Sequence, residues 1–257
     1  MSLPLLDLDK VLKVHNAALA YTVAIQQIAA ANGENATTNL VTRGALSSLM
    51  HDIACLHRAV QALCGTGWAC AAPVLLRTML EGAMSVAVIV NSDRPDATAF
   101  KYFYAKVPVD DIDPATKDAV EREMQANVAR HLPQMMEEDQ TAAKAFLDAP
   151  AAGYFWYSGM FRGPTAIIRE YLTPDMLKLY RDLSTAAHLG FRGLRYFRDE
   201  PDKLDINPRT DPRSQGFAMI SSSRILTEAT HVREHFEGLD SGGYALVVAK
   251  ISECAGG

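Results

Sequence analysis

The sequence lacks the residue patterns that mark several common classes of protein. Its four cysteines, Cys55, Cys64, Cys70 and Cys254, form no C-x-x-C pair, and a zinc site would need partner ligands that the sequence does not show. There is no G-x-S-x-G motif, and Gly65-Thr66-Gly67 lacks the lysine of a phosphate-binding loop. We therefore expect reduced, mostly buried thiols and neither a metal nor a cofactor.

Charge and targeting signals are also scarce. Charged residues make up 21% of the chain, and the net charge is −5. The overall charge therefore does not indicate nucleic-acid binding, although a local basic patch can still provide it. The N-terminus, MSLPLLDLDKVLK, has neither a basic start nor a signal-peptide core. We expect a cytoplasmic protein.

A long apolar stretch is the most prominent feature that is present. Residues 69–90 are almost wholly apolar, and Arg77 and Glu81 interrupt them one helical turn apart. A helix that is apolar all round belongs inside a bundle, where a charge is costly unless it is paired. The pattern predicts a central helix over about 69–92 with an ion pair in the core. A membrane span is rejected, because both charges would lie near its centre.

Helical spacing of apolar residues dominates the rest of the chain. Such segments, ended by Gly or Pro signals, cover most of residues 6–189, and two more run over 221–236 and 244–252. Only Tyr244–Ile251 could be a strand by composition. We predict an all-α protein, an irregular multi-helix bundle forming a single domain over 1–257, with an exposed loop at about 199–216.

A polar stripe is predicted on the helix that Thr173-Pro174-Asp175 opens. Arg181 and His188 lie within about 20° of each other at 100° per residue, and Ser184 sits between them in the chain on the same side. An arginine can hold a phosphate and a histidine can move a proton near neutral pH. Together they suffice for metal-free RNA cleavage by the ribose 2′-hydroxyl, and Glu81 could orient either group if the two helices pack together.

The segment Arg181-Asp182-x5-His188 resembles the Arg-polar-x-His motif of the HEPN superfamily. Members of that superfamily are helical bundles, and many are metal-independent RNases of toxin and defence systems that work as dimers. The resemblance implies Arg181, Asp182 and His188 as the catalytic set, RNA as substrate and a homodimer.

Three short segments also resemble a bacterial family catalogued only as a domain of unknown function. They are LLRTMLEGA (Leu75–Ala83), FWYSG (Phe155–Gly159) and LYRDLSTAAH (Leu179–His188), which occur in this order. This resemblance implies a shared polar core of Arg77, Glu81, Ser184 and His188, with no activity attached. Two interpretations of that core stay open: a network that fixes helix register, or a ligand or catalytic site.

A basic and aromatic patch follows the polar stripe. Arg192, Arg195, Tyr196 and Arg198 alternate with other aromatic residues and could track an RNA backbone and stack bases. The alternative is that these cations complement the dipole at a helix C-terminus.

The remaining histidines favour structural roles. His57 is predicted to be a core histidine, and His51 with Cys55 and Arg58 a satisfied polar face, since no further metal ligand is visible. His231 and His235 are four residues apart, but the intervening Arg233 and Glu234 suggest an ordinary surface helix.

Two hypotheses about function follow. The first is a HEPN-like, metal-independent RNA endonuclease of toxin or defence type, with His188 as the acid and base, Arg181 as the phosphate clamp, and Asp182 and Glu81 as orienting groups. The second is a non-enzymatic helical protein that binds a small anionic ligand or a protein partner.

Overall fold

The computed structural model describes residues 6–34, 36–104, 114–149, 156–157, 160–187 and 212–255. Ten α-helices account for most of these residues, which contain no β-strand, so the predicted all-α class is confirmed. In chain order the helices are α1 (Leu8–Glu34), α2 (Leu40–Gly65), α3 (Ala72–Val90), α4 (Pro95–Phe103), α5 (Pro114–His131), α6 (Glu137–Asp148), α7 (Pro164–Tyr171), α8 (Pro174–Ala187), α9 (Pro212–Phe236) and α10 (Gly243–Ala255).

Helix α3 lies in the core, as its apolar composition predicts. A short 3-10 turn at Ala69–Ala71 leads into it, and Pro73 occupies the first turn, where a missing N–H costs nothing. Every side chain over residues 83–89 is buried. The central apolar helix predicted over about 69–92 is confirmed, with its last helical residue at Val90.

The stretch Ala69–Val90 is also long and apolar enough to cross a membrane, the only such helix within the described ranges. Length and composition alone are weak evidence for a membrane span, because the buried helix of a protein core has the same properties. Of the most apolar 18-residue segment of this helix, 61% is buried inside the protein. That the protein does not associate with a membrane stays a prediction.

Helix α9 shares the centre of the molecule with α3. It packs against α1, α2, α3 and α10 and is buried along most of its length, although its composition is polar. The Thr227 hydroxyl donates to the Ser223 carbonyl at 2.7 Å, and Thr230 does the same to Leu226 at 2.7 Å. A small side chain whose hydroxyl bonds to its own helix needs no polar partner from outside. Neighbouring helices can therefore pack closely around α9.

The start of α9 corrects the predicted loop at about 199–216. The helix begins at Pro212, and Ser214 and Gly216 are buried. Proline suits the first position of a helix, so this one marks a helix start. Residues 199–211 lie outside the described part of the chain. The strand alternative for Tyr244–Ile251 is wrong, because these residues belong to α10.

Helix α2 receives its N-terminal cap from another helix. Asn39, which precedes it, has a positive φ of 56° and makes no side-chain cap. Asp96 of α4 accepts hydrogen bonds from the Thr42 backbone N–H at 2.8 Å and from the Thr42 hydroxyl at 2.7 Å. A carboxylate is favoured at this positive end of the helix, so the contact ties α4 to α2.

Helices α7 and α8 pack on α3 and on each other. Helix α8 begins at Pro174, within the predicted Thr173-Pro174-Asp175 start signal. Met176, Leu179 and Leu183, at helical spacing, form its buried face. This orientation places the neighbouring residues of α8 beside the polar turn of α3.

Candidate functional site

A polar cluster lies where α8 packs on α3. It consists of Arg77 and Glu81 from α3 and of Tyr180 and Ser184 from α8, and we call it the Arg77 cluster. Arg77 and Glu81 form the predicted ion pair, with 2.8 Å between Nε and Oε1. The Arg77 side chain is 17% exposed and that of Glu81 40% exposed. The pair therefore lies at the edge of the core and not in its centre, which corrects the sequence prediction.

Arg77 connects the two helices through its guanidinium. Its Nη1 donates to the Ser184 hydroxyl, and its Nη2 donates to the Tyr180 hydroxyl at 2.9 Å. The guanidinium carbon also lies over the Tyr180 ring, 4.3 Å from the ring centroid. A flat cation over an aromatic face gains a favourable electrostatic contact in addition to its hydrogen bonds. Arg77 is thus held in one orientation.

Ser184 and Tyr180 are fixed from the α8 side. The Ser184 hydroxyl donates to the Tyr180 carbonyl at 2.6 Å and accepts from Arg77. Because the hydroxyl hydrogen points to the preceding turn, the lone pairs of the oxygen point away from it, towards Arg77. The two residues are four apart, so they share one face of α8.

Two aromatic residues, Trp156 and Tyr157, lie beside the cluster. The Trp156 indole N–H donates to the Ser85 hydroxyl at 3.1 Å, and Ser85 donates to the Glu81 carbonyl at 3.0 Å. Tyr157 is 4% exposed. Burial first, and the nearby Glu81 charge second, raise the pKa of Tyr157 above its ordinary range. Described parts of all three segments LLRTMLEGA, FWYSG and LYRDLSTAAH therefore meet at this place.

Arg181 does not join the cluster. Its side chain is exposed, and among the described residues the structure gives it no side-chain bond to Arg77 or Glu81. Asp182 is half-buried. The predicted stripe is thus divided, because Ser184 faces Arg77 whereas Arg181 faces solvent. His188 and the patch residues lie outside the described residues; the latter are Arg192, Arg195, Tyr196 and Arg198.

Sequence reasoning missed the aromatic members of the site. Tyr180 precedes Ser184 by four residues, and that spacing could have identified it as a partner of the same face. No comparable local signal links Trp156 to Ser85, which are far apart in the chain.

Helix α9 carries buried charges that the sequence analysis placed on a surface. Arg233 is 1% exposed and Glu234 2% exposed, so the prediction of an ordinary surface helix at these residues is wrong. Glu234 accepts from the Tyr21 hydroxyl and, at 2.7 Å, from the Ser241 backbone N–H. Nearby, Glu228 accepts from the hydroxyls of Thr173 and Tyr244; these contacts bind α9 to its neighbours.

No group of three or more His, Cys, Asp or Glu side chains suited to a metal ion occurs within the described ranges. No protein-family model, curated protein or solved structure matches this chain. The resemblances to the HEPN superfamily and to the family of unknown function therefore stay predictions.

Proposed function

We propose that this protein is a non-enzymatic helical binding protein that takes a small ligand with a phosphate or carboxylate group at the Arg77 cluster. Arg77 supports the proposal, because Glu81, Tyr180 and Ser184 use three of its five N–H groups. Two N–H groups, one on Nη1 and one on Nη2, remain beyond these contacts with described residues, and the side chain is 17% exposed. Charged N–H groups of this kind suit a phosphate or carboxylate oxygen.

The fixed orientation of Arg77 lowers the cost of binding. The ion pair to Glu81 and the stack on Tyr180 already restrict the side chain, so little further freedom is lost when a ligand arrives. The exposed Glu81 carboxylate favours a ligand that carries a hydroxyl or amino group next to its anionic group, since that group can donate to Glu81.

Thermal shift and calorimetry against a panel of phosphate- and carboxylate-bearing metabolites and nucleotides would test this proposal. A bound compound at 100 times its dissociation constant stabilises the folded state by about 2.7 kcal/mol, which a melting curve resolves. Arg77→Lys keeps the charge but removes the planar fork, and we expect it to weaken binding about tenfold or more.

Arg169→Lys is the matched control, because Arg169 is an exposed arginine on α7 and outside the cluster. It should bind like the unsubstituted protein. Circular dichroism should show that both variants keep their helix content. Equal affinity of Arg77→Lys and the unsubstituted chain, or no stabilisation by any compound of the panel, would contradict the proposal.

We keep metal-independent RNA cleavage as a second proposal. The observation in its favour is that Arg77 fixes Ser184, and so sets the rotation of the helix that carries Arg181 and Asp182 and precedes His188. An exposed Arg181 is accessible to a phosphodiester.

Incubation with total RNA in EDTA tests the second proposal. The unsubstituted chain and the control Arg169→Ala, an exposed arginine on α7, should degrade RNA, whereas His188→Ala and Arg181→Ala should not. Equal degradation in all four preparations, or none in any, would exclude this activity.

A further inference from the structure

A groove lies between α1 and α2, and no residue of the Arg77 cluster is among those that line it. Both helices pack against α9, and between them they leave a space of about 450 Å³. Leu19, Val23, Met50 and Ala54 supply apolar lining. The size and the mostly apolar wall match those of sites that take small molecules.

A cysteine and a histidine face each other at the rim of this groove. Cys55 and His51 both line it, and Cys55 Sγ lies 3.5 Å from His51 Nε2. Both side chains are exposed, one turn apart on α2. The expectation of mostly buried thiols is wrong, since of the four cysteines only Cys64 is buried. With its proton on Nδ1, the imidazole can accept the thiol proton through Nε2, which is the arrangement of an activated thiol and its base.

The charge of the groove selects among reagents that could reach this thiol. Arg58 lies one turn beyond Cys55 and is the one Lys, Arg, Asp or Glu side chain among the described residues that line the groove. An anionic molecule is therefore favoured over a cationic one. A cation beside an accessible thiol is also the usual setting of a reactive cysteine.

We propose that this groove binds small anionic disulfides and that Cys55 exchanges with them. Cys55 Sγ attacks one sulfur of the disulfide RSSR while His51 Nε2 takes the thiol proton. A new bond joins Sγ to that sulfur as the old S–S bond breaks, and the departing RS⁻ receives the proton from His51. The products are Cys55–S–S–R and RSH, so the protein thiol is oxidised and half of the reagent is reduced.

Oxidised glutathione, an anionic disulfide, is the probe for the test. The full chain is incubated with it near neutral pH, and mixed disulfide at each cysteine is followed over time by peptide mass spectrometry. Cys70 is the internal control, since it is also exposed but does not line the groove. We expect Cys55 to react about tenfold faster than Cys70, a modest effect for a base within hydrogen-bond reach.

Substitutions separate the base from the groove. His51→Ala and His51→Gln should both lower the Cys55 rate towards that of Cys70, whereas His235→Ala, at an exposed histidine on α9, should leave it unchanged. Equal rates at Cys55 and Cys70, or no effect of either His51 variant, would overturn the role of the pair.

Cystamine, a cationic disulfide, tests the choice of ligand. Cys55 should prefer glutathione over cystamine more strongly than Cys70 does, and Arg58→Ala should abolish that difference. An equal preference at both cysteines would refute the anionic site. These readouts do not depend on the Arg77 cluster, so they stand or fall separately from the function proposed there.

Discussion

Two arginines share one buried carboxylate beyond the end of α9. Arg43 Nη1 lies 2.7 Å from Glu237 Oε2, and Arg233 Nη2 lies 2.8 Å from Glu237 Oε1. The Glu237 side chain is fully buried and Arg233 is 1% exposed. Burial lowers the pKa of Arg233 to about 10, against the opposing effect of Glu237. Glu237 is thus the counter-charge that stabilises both arginines.

Glu237→Gln should therefore destabilise the protein strongly. It leaves two positive charges near each other without a counter-charge, and breaking a buried pair in this way costs about 3–5 kcal/mol. Urea denaturation measures the free energy of unfolding. Asp175→Asn is the matched control, because Asp175 pairs with Arg224 on the surface and should cost less than about 1 kcal/mol. Equal losses in the two variants would contradict this ranking.

His15 and His57 form a stacked pair between α1 and α2. Their ring centroids are 3.5 Å apart, both side chains are fully buried, and His57 Nε2 lies 3.1 Å from the His15 carbonyl. Burial lowers the pKa of His15 from 6.5 to about 4 and that of His57 to about 3, and for His57 the neighbouring imidazole adds to the effect.

This pair should make the protein acid-sensitive below pH 6.5. Above that pH the imidazoles are neutral in both states and stability is full. As the pH falls further, only the unfolded chain takes up protons until about pH 4, so stability declines by up to about 1.4 kcal/mol per pH unit for each histidine.

Urea denaturation at pH 7 and pH 5 would measure this decline, and His57→Gln should reduce it because glutamine does not titrate. His235→Ala, at an exposed histidine, should leave the decline unchanged. An identical pH dependence in His57→Gln and the unsubstituted protein would count against the assignment.

At the scale of helices, α2 and α3 approach closely at Gly82. A Cβ at this position would lie 2.9 Å from Ile53 Cγ1, closer than carbon atoms pack. Glycine weakens a helix by about 1 kcal/mol relative to alanine. The close contact with Ile53 explains why the helix nevertheless has a glycine at this position.

Gly82→Ala should destabilise the protein by about 1–3 kcal/mol, because overpacking costs more than the gain in helix propensity. Ile53→Ala opens the space, so the double variant should be less destabilised than the sum of the two single variants. A double-mutant cycle in urea measures this coupling. Strict additivity would mean that the two residues do not oppose each other.

The sequence predicted those parts of the fold and site that depend on local spacing. The Arg77–Glu81 pair joins residues four apart on one helix, and the position of α3 follows from its apolar composition. The contacts of Arg77 with Tyr180, and of Trp156 with Ser85, depend on how distant segments pack, which no single-helix pattern encodes.

Helix α9 shows why the rest of the fold could not be predicted. Hydropathy identifies burial through apolar side chains. In α9, serine and threonine hydroxyls are buried and satisfied by carbonyls of the helix itself, and the buried carboxylates of Glu228 and Glu234 accept hydrogen bonds from other helices. Its composition is that of a surface helix, although α1, α2 and α3 all pack around it.

The whole molecule therefore depends on the helices that follow residue 211. The buried apolar side chains form one cluster to which α1–α4 and α6–α10 contribute, and a chain ending at residue 211 would lack the helix at its centre. We expect such a chain to lose cooperative thermal unfolding while keeping some helix content. Circular dichroism and calorimetry measure both properties.

A chain ending at Ser241 is the control for this truncation. It keeps α9 and the bond from the Ser241 N–H to Glu234, and loses only α10, whose buried Val247 and Ile251 contribute about 3–6 kcal/mol. It should melt at a lower temperature than the full chain but still cooperatively. If the chain ending at 211 unfolds cooperatively, or if both truncated chains lose cooperativity alike, α9 is not the helix on which the core depends.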